Sequence, residues 1–288
     1  VKFWQSVAWV EPEHLVPVAR FAEELGFEGI LNADHAIYPE QVKAPYPYSP
    51  DGIPPMTADD PYPDCWVSIA FMAAATTRLR FSTSVYVLPL RSPFEVAKAC
   101  GALSIFSEER FALGIGAGWM KDEFDIYGAP FKARGKRMDE MIEVMQRLWD
   151  GGMVDYQGEF YQFPRLQIEP APKNRIPIYV GGDNPAALKR AAQRCEGWIG
   201  AGNFPEEVPG LMAKLKALRA EAGREWEGFE TIIGVKAETD VTMLQDLAGH
   251  GMTATVAPPF AFVLGKTSSL SDKKRFMEQY AERYIRHF

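Results

Sequence analysis

Strand-like and helix-like text alternate along almost the whole of this 288-residue chain, and that alternation leaves few folds open. Short β-branched runs, bounded by Gly, Asn or Asp, are followed by longer stretches with apolar residues at helical spacing. This is the pattern of repeated strand–helix units around a parallel sheet. Residues 1–10 read as a first strand and 12–25 as its helix, stopped at Gly26; 29–32 and 64–77 make the second pair. Strands at 79–88 and 110–116 enclose a segment in which Val96, Ala99, Leu103 and Phe106 recur near helical spacing. Further strands are expected at 177–180, 197–201, 229–236 and 252–257, separated by helices at 186–194, 206–222 and 241–247. Eight strands with intervening helices predict an α/β fold closed as a (β/α)8 TIM barrel rather than an open sheet. About 250 residues is usual for such a barrel, so one domain spanning 1–288 is expected.

Two stretches break the alternation. Residues 34–63 are too proline-rich for a helix or an inner strand and predict a long loop after strand two. Residues 151–172 contain DYQGEFYQF, whose alternation about Gln157-Gly158 predicts a hairpin inserted before strand five. In a barrel the loops after strands carry the active site, which makes 34–63 a candidate lid. Residues 258–271 read as another such loop, without a motif.

Composition narrows the chemistry. With 47% hydrophobic and 24% charged residues the chain can bury a large core. A formal charge of −7 lacks the basic stripe of a nucleic-acid surface, so no nucleic-acid partner is expected. Cys65, Cys100 and Cys195 are odd in number and far apart, which suggests neither a disulfide framework nor a zinc site but buried reduced thiols. No apolar run reaches the roughly 18 residues that span a bilayer, and VKFWQSVAWV has no signal-peptide pattern, so a cytoplasmic protein without a membrane partner is expected. HExxH, GxSxG and metal-spaced carboxylates are missing, which gives a hydrolase or metalloenzyme no support.

The chemistry-bearing text is FSTSVYVLPLRSPFEVAKACGALSIFSEERFALGIGAGW, residues 81–119, a strand–helix–strand unit with a loop at each strand's carboxyl end. A GxGxG after a strand is by itself more often a tight turn than a ligand cradle. Taken in order, however, LPLRSP, GIGAGWMKDEFDIYG, RGKRMDEMIEVMQRLWDG and PIYVGGDNPAALKRAAQRCEGW closely resemble the bacterial-luciferase-like oxidoreductases. Within them the wording is most similar to the branch that uses the deazaflavin coenzyme F420 rather than flavin mononucleotide (FMN). The resemblance covers residues 1–200 and is dense from 64 to 198. It implies hydride transfer between F420 and a small organic substrate at the carboxyl-terminal face of the barrel, in a homodimer formed through helices beside strands two and three.

Asp34-His35 directly follows strand two. Imidazole titrates near neutral pH and a nearby carboxylate can fix its tautomer; the alternative is that Asp34 caps a turn while His35 packs against Tyr38. The resemblance implies that both lie over the reactive ring, with His35 handling a proton. It also implies that Ser84-Val85 is a non-prolyl cis peptide behind that ring, and that Gly116, Ala117, Gly118, Val180, Gly181 and Gly182 bind the coenzyme, the second glycine turn taking its phosphate. Glycines let backbone approach a ligand, and the helix from Ala186 would favour an anion, though Gly181-Gly182 could equally be only a tight turn. By resemblance, Arg91 fixes its loop or contacts the coenzyme's polar tail. Sugar-phosphate dehydrogenases of this branch carry a glutamate where this chain has Trp119, with Glu123 four residues on, which puts that substrate in doubt and points to an aromatic wall. Trp9, Tyr38 and Trp119 are expected to line the substrate pocket, and Trp4, Tyr46, Tyr48, Trp66 and Phe260 are further candidates for mouth or core. The competing readings are a reduced-FMN monooxygenase using dioxygen on the same barrel and, remotely, a Schiff-base lyase with Lys236 as nucleophile.

Overall fold

The computed structural model describes all residues 1–288. Nine parallel strands form one closed sheet: β1 (Lys2–Ser6), β2 (Gly29–Asn32), β3 (Arg80–Thr83), β4 (Tyr86–Val87), β5 (Phe111–Gly116), β8 (Ile178–Gly181), β9 (Gly197–Ile199), β10 (Glu230–Ile233) and β11 (Ala254–Ala257). β3 and β4 share one position beside β5, so the barrel has the eight positions expected. Pairing of β1 with β11, Phe3 opposite Thr255, closes it. The predicted third strand is interrupted at Ser84-Val85, whose peptide is cis, and ends in a 3-10 turn at Leu88–Leu90.

Helices α1 (Pro12–Leu25), α2 (Cys65–Ala74), α3 (Pro93–Phe106), α4 (Lys121–Tyr127), α5 (Arg134–Trp149), α6 (Pro185–Arg194), α7 (Val208–Glu221), α8 (Val241–His250), α9 (Phe260–Leu264) and α10 (Leu270–Arg283) surround the strands. Their limits follow local chemistry. Gly26 ends α1 in the left-handed conformation at φ 87°, and Asp64, Asn184 and Asp240 start α2, α6 and α8 by accepting backbone N–H bonds. The antiparallel β6 (Val154–Gln157) and β7 (Gln162–Leu166) form the expected hairpin before the fifth barrel position.

Three expectations need correction. Residues 258–271 are not all loop, because Pro258-Pro259 leads into α9 and Ser269 caps α10 by accepting from the Asp272 N–H. Phe106 lies outside the buried stripe of α3: Val96 and Leu103 are buried, but Phe106 is 78% exposed. The first strand stops at Ser6 because the chain turns at Trp9, φ 59°.

Most buried apolar side chains lie between strands and helices, each contributing about 1.5–3 kcal/mol. Inside the barrel Trp4, Leu31, Ala112, Tyr179, Ile199, Ile232 and Ala254 pack together. At the amino-terminal ends of the strands Arg80 pairs with Glu28 and Glu230 at 2.9 and 3.0 Å and donates to the Tyr179 hydroxyl at 2.7 Å. That end is closed, which leaves the carboxyl-terminal end as the open mouth. Cys65, Cys100 and Cys195 are unpaired and buried, and no helix is long and apolar enough to cross a membrane.

Candidate active site

The loops at the carboxyl ends of the strands enclose a cleft of about 1800 Å3. Val85, displayed at the break between β3 and β4, forms part of its floor. An added Cβ on Gly116 would meet Val85 Cγ2 at 2.6 Å, and one on Gly181 would meet Cγ1 at 2.6 Å. The two glycine turns therefore make room for the Val85 side chain, and the floor is apolar there.

Over this floor lies a continuous chain of aromatic contacts. Phe262 packs on Trp9 with centroids 5.4 Å apart, and Trp9 Nε1 donates to the Tyr62 hydroxyl at 2.7 Å. Tyr62 meets His35 at 5.3 Å, His35 meets Trp119 at 6.0 Å, Trp119 meets Tyr46 at 5.1 Å and Tyr46 meets Tyr48 at 5.4 Å. The Tyr48 hydroxyl lies over Gly182, 3.3 Å from where a Cβ would stand. Four of these rings belong to the 34–63 loop, which is folded across the mouth as a lid. Two consecutive carboxylates of α4 fasten it: Asp122 accepts from the Lys43 and Ala44 N–H groups at 3.2 and 3.0 Å, and Glu123 accepts from the Ala36 N–H at 3.1 Å.

Asp34 and His35 part company. The Asp34 carboxylate accepts from the Val87 N–H at 3.0 Å and pairs with Arg91 at 3.2 Å, so it fixes the β4 segment behind Val85. Burial pushes this carboxyl upward, against the pull of Arg91 and the Val87 N–H. Arg91 also donates to the Tyr86 hydroxyl at 3.0 Å and does not line the cleft, so of its two expected roles the geometry assigns it the fixing of the loop. The carboxylate against His35 is Glu123, with Oε2 3.1 Å from Nδ1.

At the second glycine turn the Gly182 N–H is already donated to the Ile199 carbonyl at 3.1 Å, and its own carbonyl accepts from Trp198 Nε1. It is not a free donor for an anion, contrary to expectation. Asp183 beside it accepts from the Ala201 N–H and Asn203 Nδ2 and is pushed up by burial. Positive side chains without a carboxylate partner stand elsewhere on the lining, at Lys43, Lys132, Arg134 and Lys236. Lys132 precedes α5 and Arg134 opens it; Arg134 Nε and Nη1 donate to the Gly118 and Phe131 carbonyls, each at 3.0 Å, so its charge has backbone partners but no carboxylate. Burial lowers the Arg134 guanidinium, and no acid opposes that.

Of the residues expected from sequence, Asp34, His35, Ser84, Val85, Gly116, Ala117, Gly118, Gly181, Gly182, Trp9 and Trp119 all line the cleft. Val180 does not; it is wholly buried in the layer between strands and helices. Tyr38 is likewise outside the lining, its hydroxyl donating to the Met56 carbonyl at 3.1 Å within the lid. Trp4 fills the barrel interior, Trp66 packs on Tyr86 and Phe111, and Phe260 is buried, whereas Tyr46 and Tyr48 reach the mouth. Lys236 is exposed, so it lacks the desolvation that would activate a Schiff-base lysine. Sequence reasoning noted Glu123 four residues past Trp119 without pairing it with His35, and missed Tyr62, Lys132 and Arg134 as parts of the site. The one available signal was an acidic residue directly preceding Phe124 in a short helix after the glycine turn.

A closed parallel barrel with its lidded cleft at the carboxyl ends of the strands, a histidine in the lid and an apolar floor between two glycine turns is a (β/α)8 barrel with an enzyme-type site. The family model for luciferase-like monooxygenases matches residues 5–244, and the chain belongs to that family. It is 36% identical over 294 residues to the uncharacterized protein Rv0940c of Mycobacterium tuberculosis (strain ATCC 25618 / H37Rv), covering 99% of each chain. It is 27% identical over 236 residues to the F420-dependent glucose-6-phosphate dehydrogenase of Mycolicibacterium gilvum (strain PYR-GCK), covering 80% of this chain and 66% of that one. Among solved structures, monooxygenase RslO1 from Streptomyces bottropensis superposes with a TM-score of 0.78 at 21% identity, covering 100% and 99% of the two chains. The coenzyme F420 dependent tetrahydromethanopterin reductase from Methanopyrus kandleri does so at 0.76 and 17%, with the same coverage. At these identities the structural likenesses establish the fold.

Proposed function

We propose that this protein is a cytoplasmic, single-domain oxidoreductase that binds coenzyme F420 and exchanges a hydride with a small organic substrate. The observation that carries the reading is the Val85 side chain seated between Gly116 and Gly181 beneath the lid that holds His35. An apolar floor of this kind suits a flat ring, and Lys132 and Arg134 at the start of α5, free of any carboxylate, suit a phosphate, so the residues present fit the coenzyme. Bound deazaflavin supplies the carbon that donates or accepts hydride. Val85 would back the ring, Lys132 and Arg134 would hold the phosphate, and His35 would give or take the accompanying proton. Trp9, Trp119 and Phe262 form an apolar wall for the substrate and, with the lid, exclude water. The F420 named for the Mycolicibacterium relative supports this choice of coenzyme. Free, buried cysteines are in keeping with a reducing compartment.

A second reading, reduced FMN acting with dioxygen, is favoured by the monooxygenase likeness and uses the same mouth. Titration of the purified protein with each oxidised coenzyme separates them. F420 should bind at least tenfold more tightly than FMN, about 1.4 kcal/mol. Preference for FMN together with substrate-dependent oxygen uptake selects the monooxygenase.

The reading includes a homodimer. Val67 and Phe71 on α2 are 58% and 68% exposed, and Phe106 on the neighbouring α3 is 78% exposed, an apolar face of the sort that associates.

A further inference from the structure

Glu123 is enclosed, with 1% of its side chain exposed, and no lysine or arginine pairs with it. A buried carboxylate in that condition is costly unless donors satisfy both oxygens. Here the donors come from two consecutive lid residues: Oε1 takes the Ala36 N–H at 3.1 Å and Oε2 stands 3.1 Å from His35 Nδ1. An ionised carboxylate only accepts, so the hydrogen between Glu123 and His35 belongs to the imidazole. Nε2 has no hydrogen-bond partner in the protein, and His35 lines the cleft. Asp34, although adjacent in sequence, is occupied by Arg91 and the Val87 N–H. The other titratable group facing the ring, Tyr62, donates to Met56 Sδ and accepts from Trp9.

We propose that Glu123 is the positioning residue of the site, holding the neutral His35 ring with its proton on Nδ1 so that Nε2 exchanges the proton with substrate. This rests on the reading of His35 as the proton-handling group. When Nε2 takes a proton from substrate the ring becomes imidazolium beside the Glu123 carboxylate. When Nε2 gives that proton back the ring returns to the Nδ1–H form. The Nδ1 proton itself does not move, and no other co-reactant is needed for this step. Fixing a tautomer through the far ring nitrogen is how a carboxylate assists a catalytic histidine elsewhere.

The test is a long-range 1H–15N correlation spectrum of the coenzyme-free protein at a pH where imidazole is neutral. The chain has four histidines, and His35 is assigned by the signal lost in His35→Asn. The ring should carry its proton on Nδ1, and in Glu123→Ala it should revert to the Nε2–H form that a free histidine side chain favours. A wild-type ring protonated on Nε2, or a folded Glu123→Ala protein that keeps the Nδ1–H form, overturns the proposal; if the variant does not fold, the wild-type spectrum decides. No coenzyme or substrate is in the sample, so failure of the F420 reading leaves this result standing. With the coenzyme selected by binding, Glu123→Ala turnover should fall by about 10²–10⁴-fold at unchanged coenzyme affinity. Unchanged turnover in a variant whose tautomer has switched would remove Glu123 from the reaction.

Discussion

Val85 projects its two γ-methyl groups at Gly116 and Gly181, and neither glycine has space for a Cβ while they stand there. The glycine turns read from sequence as a ligand cradle are thus first an accommodation of one valine. Gly181→Ala should cost about 1–3 kcal/mol by overpacking, measured by urea unfolding. In a Val85→Ala background the same substitution should cost much less, because the clashing methyl is gone, and the double-mutant cycle should return a coupling of about 1 kcal/mol or more. Additive effects would mean the strand shifts to absorb the added Cβ and that Val85 does not set the floor. His35 was legible as a residue after a strand, where barrels place chemistry. Its partner was not, since Glu123 is 88 positions away and only folding brings them together.

Among the elements, the join between α1 and β3 has a clear electrostatic signature. Glu23, in the last turn of α1, accepts from the N–H groups of Thr77, Arg78 and Leu79 at 2.8, 2.6 and 2.9 Å, clipping the helix to the segment that enters the strand. Burial, the largest single influence, pushes the carboxyl up, but the three amides together prevail and hold it below its ordinary value of 4.5. A carboxyl depressed on folding stabilises fully above its unfolded value, and that increment is lost as pH falls through the folded value. Glu23→Gln should therefore destabilise by about 1 kcal/mol at neutral pH, the solvent-accessible setting reducing the usual worth of charge-assisted bonds. The gap between wild type and variant should narrow as pH falls below about 4.5, read from unfolding midpoints at several pH values. A gap constant with pH would show that shape rather than charge makes the clip. Helix boundaries such as Gly26 and Asn184 were readable because a cap is decided by its own few residues. α9 was not readable, since its five residues follow two prolines and have too short a pattern.

For the whole molecule, closure rests on β1 pairing with β11 and on Arg80 bridging Glu28, Glu230 and Tyr179 beneath the strands. The outer surface is broken by the apolar face of Val67, Phe71 and Phe106. If two copies meet there, sedimentation of the wild-type protein should give a dimer, and Phe71→Glu with Phe106→Glu should give a folded monomer that still binds coenzyme. A wild-type monomer, or a double variant that stays dimeric, would place self-association elsewhere or remove it.

The sequence by itself determined the barrel, the lid after the second strand, the hairpin and the end of the fold at which residues such as His35 and Trp119 lie. These follow from periodicity, turn chemistry and chain order, all of which act over short stretches. Tertiary structure alone decided that Asp34 serves Arg91 while Glu123 serves His35, that Gly182 is taken by Ile199, and that Tyr38 and Val180 stand outside the cleft. Each of those depends on which groups the closed barrel brings within contact distance of one another, and a linear pattern does not encode that proximity.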